Sequence, residues 1–546
     1  MNRKVATFWL LGLMLLGARG AQAQEEDSTA LFDELAAPPA PPADEGAAPE
    51  ATERPFKARL SGTHEFAYHA PVQPASQDYE GEIKVPALRN LLGLEVQDGA
   101  LKLVSEWHLD LLADPAKADA QGQRGDWNAL TRLRPGETYL SWSGQALKLS
   151  AGYQIYSWGV ADKLNPTDNL NPRDYTVGLN FDKIPVLSAA AVWYPSDTWS
   201  VEGVFIPYEQ PERWPIDWAG RVPDGLFYGK SYTLATKTLE EVPHDRNVVG
   251  QPLAQGPKSL VAGARASYRS SAVDLSVSYL YDIDSFFTPR VITATEHITW
   301  TDSGLPTGQQ FTRVEALVLE RQRVHRFGAD AKTTVGRLGL WAEAAWSLTQ
   351  QGLDGEDRLG RRSKLDYVLG LDFNYGPNDS WYANLQYLGT WVPGYRKDFS
   401  QQYPGGLPEA GKVGDGGYMQ TFYEAALVDR FGMYTEGLLQ GLTSNLKWEL
   451  WDGTLTPQFT AVYMLPFQYD DQAQTRYGSL SLNPELDYMP ADSLHVKVGA
   501  DLCYAWVKDP GGEVRLDTAE DRLGFYTPSN NVYLKVVYKW NHDLVR

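Results

Sequence analysis

Cysteine is almost missing: Cys503 is the single one in 546 residues, so no intramolecular disulfide can hold the chain and a disulfide scaffold is excluded. Long apolar runs are also scarce. The run from Ala6 to Gly17 is about 12 residues, well short of the roughly 20 that a membrane helix needs. Positive charge is in deficit, 49 Lys and Arg against 69 Asp and Glu for a formal charge of −20, which excludes a nucleic-acid partner. The eight histidines (His64, His69, His108, His244, His297, His325, His495, His542) include no His-Glu-x-x-His pair, and there is neither a Gly-x-Ser-x-Gly elbow nor a phosphate loop. Catalytic residues, a metal site and a cofactor therefore have no local signal.

What the chain does hold is unusual in kind. It carries 18 Trp, 30 Tyr and 49 Gly beside only 6 Met. With 43% hydrophobic residues and a mean hydropathy of −0.38, it matches a soluble protein or a membrane barrel equally, because alternate residues of a barrel strand face a polar lumen. Aromatic belts and glycines in a curved sheet would both produce the observed bias.

Arg3 and Lys4, the apolar run and the small-residue site Ala21-Gln22-Ala23 read as a secretory signal over residues 1–23, with cleavage expected after Ala23. No cysteine follows that could carry a lipid anchor. Residues 24–55 hold nine acidic residues and the run Ala36-Ala37-Pro38-Pro39-Ala40-Pro41-Pro42, a composition expected to stay disordered in the periplasm. Within it, Leu31, Phe32 and Leu35 form a short apolar face able to dock as a helical turn on a partner.

From Phe56 onward the dominant signal has period two. Leu101 to Leu111 puts Leu101, Leu103, Ser105, Trp107, Leu109 and Leu111 on one face and Lys102, Val104, Glu106, His108 and Asp110 on the other. Similar segments run over 147–157, 273–281, 365–375, 495–504 and 532–540. Turn chemistry joins some of them tightly, as at Gln97-Asp98-Gly99, Ser143-Gly144-Gln145, Pro195-Ser196-Asp197, Gly376-Pro377-Asn378-Asp379 and Trp451-Asp452-Gly453. Long joins alternate with these, notably 207–258, 283–312 and 394–430. That sorting predicts an all-β fold over residues 56–546: a closed antiparallel transmembrane β-barrel of about 14 to 18 strands with long extracellular loops, in the outer membrane. Outer-membrane lipid, lipopolysaccharide and the barrel-assembly machinery are then the expected partners. The closing strand is expected to end at Trp540, six residues before Arg546.

The most distinctive segment is Tyr156-Ser157-Trp158-Gly159, followed by the near-repeat Leu164-Asn165-Pro166-Thr167-Asp168 and Leu170-Asn171-Pro172-Arg173-Asp174. Asn before Pro is held extended while its side chain closes a local turn, so each unit reads as a rigid corner. This segment resembles a family of uncharacterised proteobacterial outer-membrane barrels with a Ser-Trp-Gly strand end and an Asn-Pro, acidic loop. The resemblance covers about twenty residues and implies an export or transport partner of an inner-membrane pump moving lipophilic compounds; a periplasmic lipid carrier is the other partner to look for.

Folded into the lumen, this loop would make a pore constriction of Trp158, Asp162, Asn165, Asp168, Asn171, Arg173 and Asp174, since charged side chains are how pores select. The bland reading is a brace of the wall through Trp158 and buried Asn contacts. A calcium site from the same oxygen ligands matches no EF-hand spacing. Tyr208, Trp214, Trp218, Phe227, Tyr228 and Tyr232 suggest a ligand-binding aromatic funnel or a lid packed on itself. Arg321 to Arg326 suggests contact with lipopolysaccharide phosphates or a salt-bridge network in the lumen. Rival functions are a plugged barrel used for surface binding or scaffolding and a secreted Trp-rich carbohydrate-binding β-sandwich. A hydrolase with its site scattered on a barrel rim would leave no motif.

Overall fold

The computed structural model describes residues 56–72, 85–113, 131–162, 165–175, 182–213, 232–234, 237–239, 248–250, 256–284, 288–298, 309–349, 363–393, 437–468, 476–508, 512–516, 523, 526–527 and 530–544. The signal segment and residues 24–55 lie outside them.

Eighteen antiparallel strands form the wall. In chain order they are β1 (Lys57–Pro71), β2 (Val85–Asp98), β3 (Leu101–Ala113), β4 (Thr131–Ser143), β5 (Leu147–Gln154), β6 (Val186–Ser196), β7 (Trp199–Ile206), β8 (Val261–Arg269) and β9 (Val273–Ile283). The second half is β10 (Arg323–Val335), β11 (Leu338–Thr349), β12 (Lys364–Tyr375), β13 (Trp381–Trp391), β14 (Leu438–Trp448), β15 (Leu455–Gln468), β16 (Arg476–Ala491), β17 (Leu494–Lys508) and β18 (Asn531–Asp543). Each pairs with its neighbour in sequence, and β18 returns to β1 with Arg59 opposite Asp543 and Pro71 opposite Asn531. Closure satisfies every strand edge, as crossing a bilayer with strands requires. A nineteenth short strand, Val514–Leu516, only extends β17 beyond the rim.

Alternation sets the two faces. On β3, Leu101, Leu103, Trp107 and Leu109 are exposed outward, while Val104 and Asp110 are buried. On β18, Val532 and Leu534 are exposed and Tyr533 and Val537 are buried. Trp142, Trp193 and Trp199 stand exposed near the short-turn end and Trp391 at the other, the positions of the two aromatic belts. No helix among the described residues is long and apolar enough to cross a membrane; the strands do so. A single sheet closed on itself with an apolar outer face rules out the secreted sandwich.

The tight turns anticipated at Gly99, Gly144, Asp197, Gly376 and Gly453 all fall at one end of the wall, with the starts of β1 and the end of β18. Two strand limits differ from expectation. β5 stops at Gln154 because Asn171 takes over the next backbone groups, its Oδ1 accepting from Tyr156 N at 2.6 Å. β18 continues past Trp540 to Asp543 because β1 still pairs with it there, Arg59 donating to Asp543 at 3.2 Å. The long join after β9 contains two further strands, Thr288–Ile298 and Gln309–Glu320, which pair with each other outside the wall.

Candidate functional site

The loop between β5 and β6 turns into the lumen instead of over the rim. Asn171 staples its two legs: Nδ2 donates to Gln154 O at 2.9 Å and to Ile184 O at 3.0 Å. One face is apolar, Tyr156, Trp158 and Leu170 packing on Val186, Ala190, Val204, Ile206, Val261 and Leu280 of β6 to β9. That core lies inside the barrel, against the wall formed by these strands.

Polar anchors then carry the loop across. The buried Glu343 carboxylate on β11 accepts from Val160 N at 2.9 Å and Ala161 N at 3.0 Å through Oε2, and from Thr167 N at 2.7 Å and Thr167 Oγ1 at 2.9 Å through Oε1. Gln386 on β13 accepts from Asp162 N at 3.1 Å and donates to Asp162 O at 3.0 Å. Trp158 Nε1 donates to Glu202 on β7 at 2.8 Å. On the opposite wall, Arg132 of β4 pairs with Asp174 at 2.6 Å and Arg89 of β2 with Asp182 at 3.0 Å. Strands β2 and β11, like β4 and β13, stand nine apart in a ring of eighteen, so the loop is a strut across the full diameter.

The charges on the strut are compensated. Asp168 holds Lys183 at 2.7 Å and Arg173 at 3.1 Å, and Asp174 holds Arg213 at 3.2 Å as well as Arg132. Burial pushes down the pKa of Lys183, which lies on the loop and not on a spanning strand, with Asp168 pulling the other way. On the long-loop side of the strut a cavity of about 460 Å³ is lined by Asn165, Asp168, Asn171 and Arg173 together with Asp282, Arg326 and Asp366 of the wall.

Of the residues expected in a constriction, the structure brings all seven onto one strut, but in different roles. Trp158, Asn171 and Asp174 are buried anchors; Asn165, Asp168 and Arg173 line the cavity; Asp162 is held through its backbone. One segment thus both braces the wall and lines the cavity. The anchors Glu343, Gln386 and Glu202 were missed by sequence reasoning, since each looks like any lumen-facing polar residue of a strand. Arg321 to Arg326 takes the network reading: Arg326 pairs with Asp282 at 3.2 Å and Arg321 with Glu209 at 2.8 Å. Tyr208 is exposed at the long-loop end, whereas Trp214, Trp218, Phe227 and Tyr228 lie outside the described residues. Cys503 is a buried wall residue of β17. Among the described residues no cluster could hold a metal ion.

Neither a family model nor a curated protein matches the chain. Among solved structures it is similar to OpdK of Pseudomonas aeruginosa, determined with vanillate, at 10% identity over 89% of this chain and 99% of that one, TM-score 0.43. It is also similar to OccAB3 of Acinetobacter baumannii at 9% identity, with 89% and 99% covered and a TM-score of 0.44. The third is Wzi of Escherichia coli, an outer-membrane protein involved in group 1 capsule assembly and described as a carbohydrate-binding β-barrel, at 9% identity, 88% and 84% covered, TM-score 0.40. Likenesses at this level carry no argument about cargo. The closed wall and its apolar outer face define the class: an integral outer-membrane β-barrel, crossed internally by its own loop.

Proposed function

We propose that the protein is an outer-membrane channel for small water-soluble solutes, narrowed by the strut that residues 155–162, 165–175 and 182–185 form. The observation that carries this reading is the diametric anchoring of the loop by Glu343, Gln386, Arg132 and Arg89, which constrains the cross-section of a wide barrel while leaving part of it beside the strut. Selection at such a constriction is by size and by the sign of uncompensated charge. An excess of acidic residues favours neutral solutes and cations over anions.

The lipophilic cargo and the pump partner implied by the family resemblance fit less well with this wall. An apolar compound in the lumen would displace water from hydroxyls, amides and charges without replacing their hydrogen bonds. The plugged scaffold remains the competing reading, because the apolar core of the strut lies inside the barrel.

Planar-bilayer recording of the purified chain separates them. The wild type should give small, cation-preferring steps, and Glu343→Ala combined with Gln386→Ala should raise single-channel conductance roughly twofold or more by freeing the strut. Silence in both proteins would establish the plugged barrel instead, and anion preference would overturn the selectivity.

A further inference from the structure

The wall from β12 to β18 carries a row of polar side chains that strand register places side by side. Asp372 of β12 lies opposite Asn384 of β13, Asn384 opposite Asn445 of β14, Asn445 opposite Thr460 of β15, and Thr460 opposite Asn483 of β16. Asn483 Nδ2 donates to Asp501 of β17 at 2.9 Å, and Asp501 lies opposite Asn531, the first residue of β18. All share the lumen face with Gln386 and Thr443, which are hydrogen-bonded to each other at 3.1 Å.

The row is also a path. Asp372 stands three residues from the Tyr375 end of its strand, at the short-turn side, whereas Asn531 opens β18 at the long-loop side. Six interstrand steps of about 4.8 Å make it roughly 29 Å long around the wall, and with strands tilted by about 35–45° it climbs obliquely toward the long-loop rim. Among the described residues no hydrogen bond or ion pair joins the strut to β14–β18 or β1.

Its chemistry contrasts with that of the strut. Asp168, Asp174 and Asp182 each hold an arginine or lysine, but neither Asp372 nor Asp501 has a cationic partner among the described residues. On the same wall Lys497 pairs with Glu485 at 2.9 Å and Lys447 with Glu449 at 2.8 Å, and Lys535 of β18 lies over the Tyr533 ring. Buried Asn384 keeps an Oδ1 with no hydrogen-bond partner. Asn445 uses only its Oδ1, which accepts from Gln458 at 3.1 Å and Thr460 at 3.5 Å. A ladder of amides, hydroxyls and carboxylates without a cationic partner offers donors and acceptors in turn to a solute rich in hydroxyls, and its carboxylates repel an anion.

We propose that this register row is the translocation track, and that its cargo is a polyhydroxylated solute, neutral or bearing an ammonium group. The proposal rests on the channel reading above and adds its substrate class. Three solutes on one carbon skeleton test it: glucosamine, glucose and gluconate, taken up by proteoliposomes whose potassium chloride conductance is measured in parallel. Glucosamine should enter at least as fast as glucose, and gluconate roughly tenfold more slowly. Asn445→Leu and Asn483→Leu, checked for assembly by the heat-dependent gel shift, should each slow glucose roughly fivefold through loss of a hydrogen bond. Asn445→Asp keeps the acceptor and should raise glucosamine relative to glucose, which decides the matter if the leucine variants do not assemble. Gluconate entering as fast as glucose, or glucose indifferent to the leucine variants, or an unchanged ratio in Asn445→Asp, would overturn the track. Absence of ionic conductance would instead sink the channel reading.

Discussion

Gly159 has φ +91°, and a β-carbon there would collide with Asn165 Oδ1, Glu343 Oε2 and Thr167 Oγ1. The backbone must pass this close for the amides of Val160 and Ala161 to reach the same carboxylate oxygen. Gly159→Ala should therefore cost about 1 to 3 kcal/mol through the left-handed backbone alone, with the clash added. The check is the temperature of the heat-dependent gel shift, together with protease cleavage inside 155–185; an unaltered, uncleaved variant would mean that Glu343 does not dictate the path of the loop. The Ser-Trp-Gly segment was legible as a strand end, and the Asn165-Pro166 and Asn171-Pro172 units as corners. Their receiving groups were not. Glu343 is 183 residues from Val160, and Gln386 is 224 residues from Asp162; no local pattern marks one lumen carboxylate out of many.

Strands were far more legible, because lipid on one side and water on the other write a period of two directly into the residues. Where that pattern breaks, the reason is chemical. His64 on β1 shares the outward face of Phe66 and Tyr68, yet it accepts from Trp540 Nε1 of β18 at 3.0 Å, and its Nδ1 meets Asn90 Oδ1 of β2 at 2.9 Å. Because Nε2 accepts, the ring proton sits on Nδ1 and donates to Asn90, whose own Nδ2 donates to Leu109 O at 3.2 Å. The chain of bonds crosses the closure seam on the membrane side, where an unpaired polar group is costly. Asn90→Leu should destabilise the folded barrel by about 1 to 3 kcal/mol, and adding His64→Leu should cost less than the sum of the two single changes, since the bond between them is then already lost. Denaturant midpoints in lipid vesicles would read this; additive losses would show that the seam does not depend on the pair. The join after β9 marks the limit of period two as a guide. It holds two full strands that pair only with each other and with Val248–Gly250, and alternation alone cannot say which strands enter the wall.

At the scale of the molecule, connection length assigns the two ends. Eight hairpins close with short turns on the side where β1 begins and β18 ends, and every long connection, including the one that carries Tyr208, leaves from the other side. Outer-membrane barrels place short turns in the periplasm and long loops outside, so the strut enters from the external rim and the cavity of about 460 Å³ lies on its external side. Chemistry on intact cells tests the assignment cleanly, because the one native thiol, Cys503, is buried in β17 and gives no background. Tyr208→Cys places a thiol at an exposed position beyond β7, and Asp197→Cys places one in the exposed turn between β6 and β7. A membrane-impermeant maleimide should label the first on intact cells and the second only after the outer membrane is breached. The opposite pattern would invert the barrel, move the cavity to the periplasmic face and make the strut a barrier to export instead of a filter for entry.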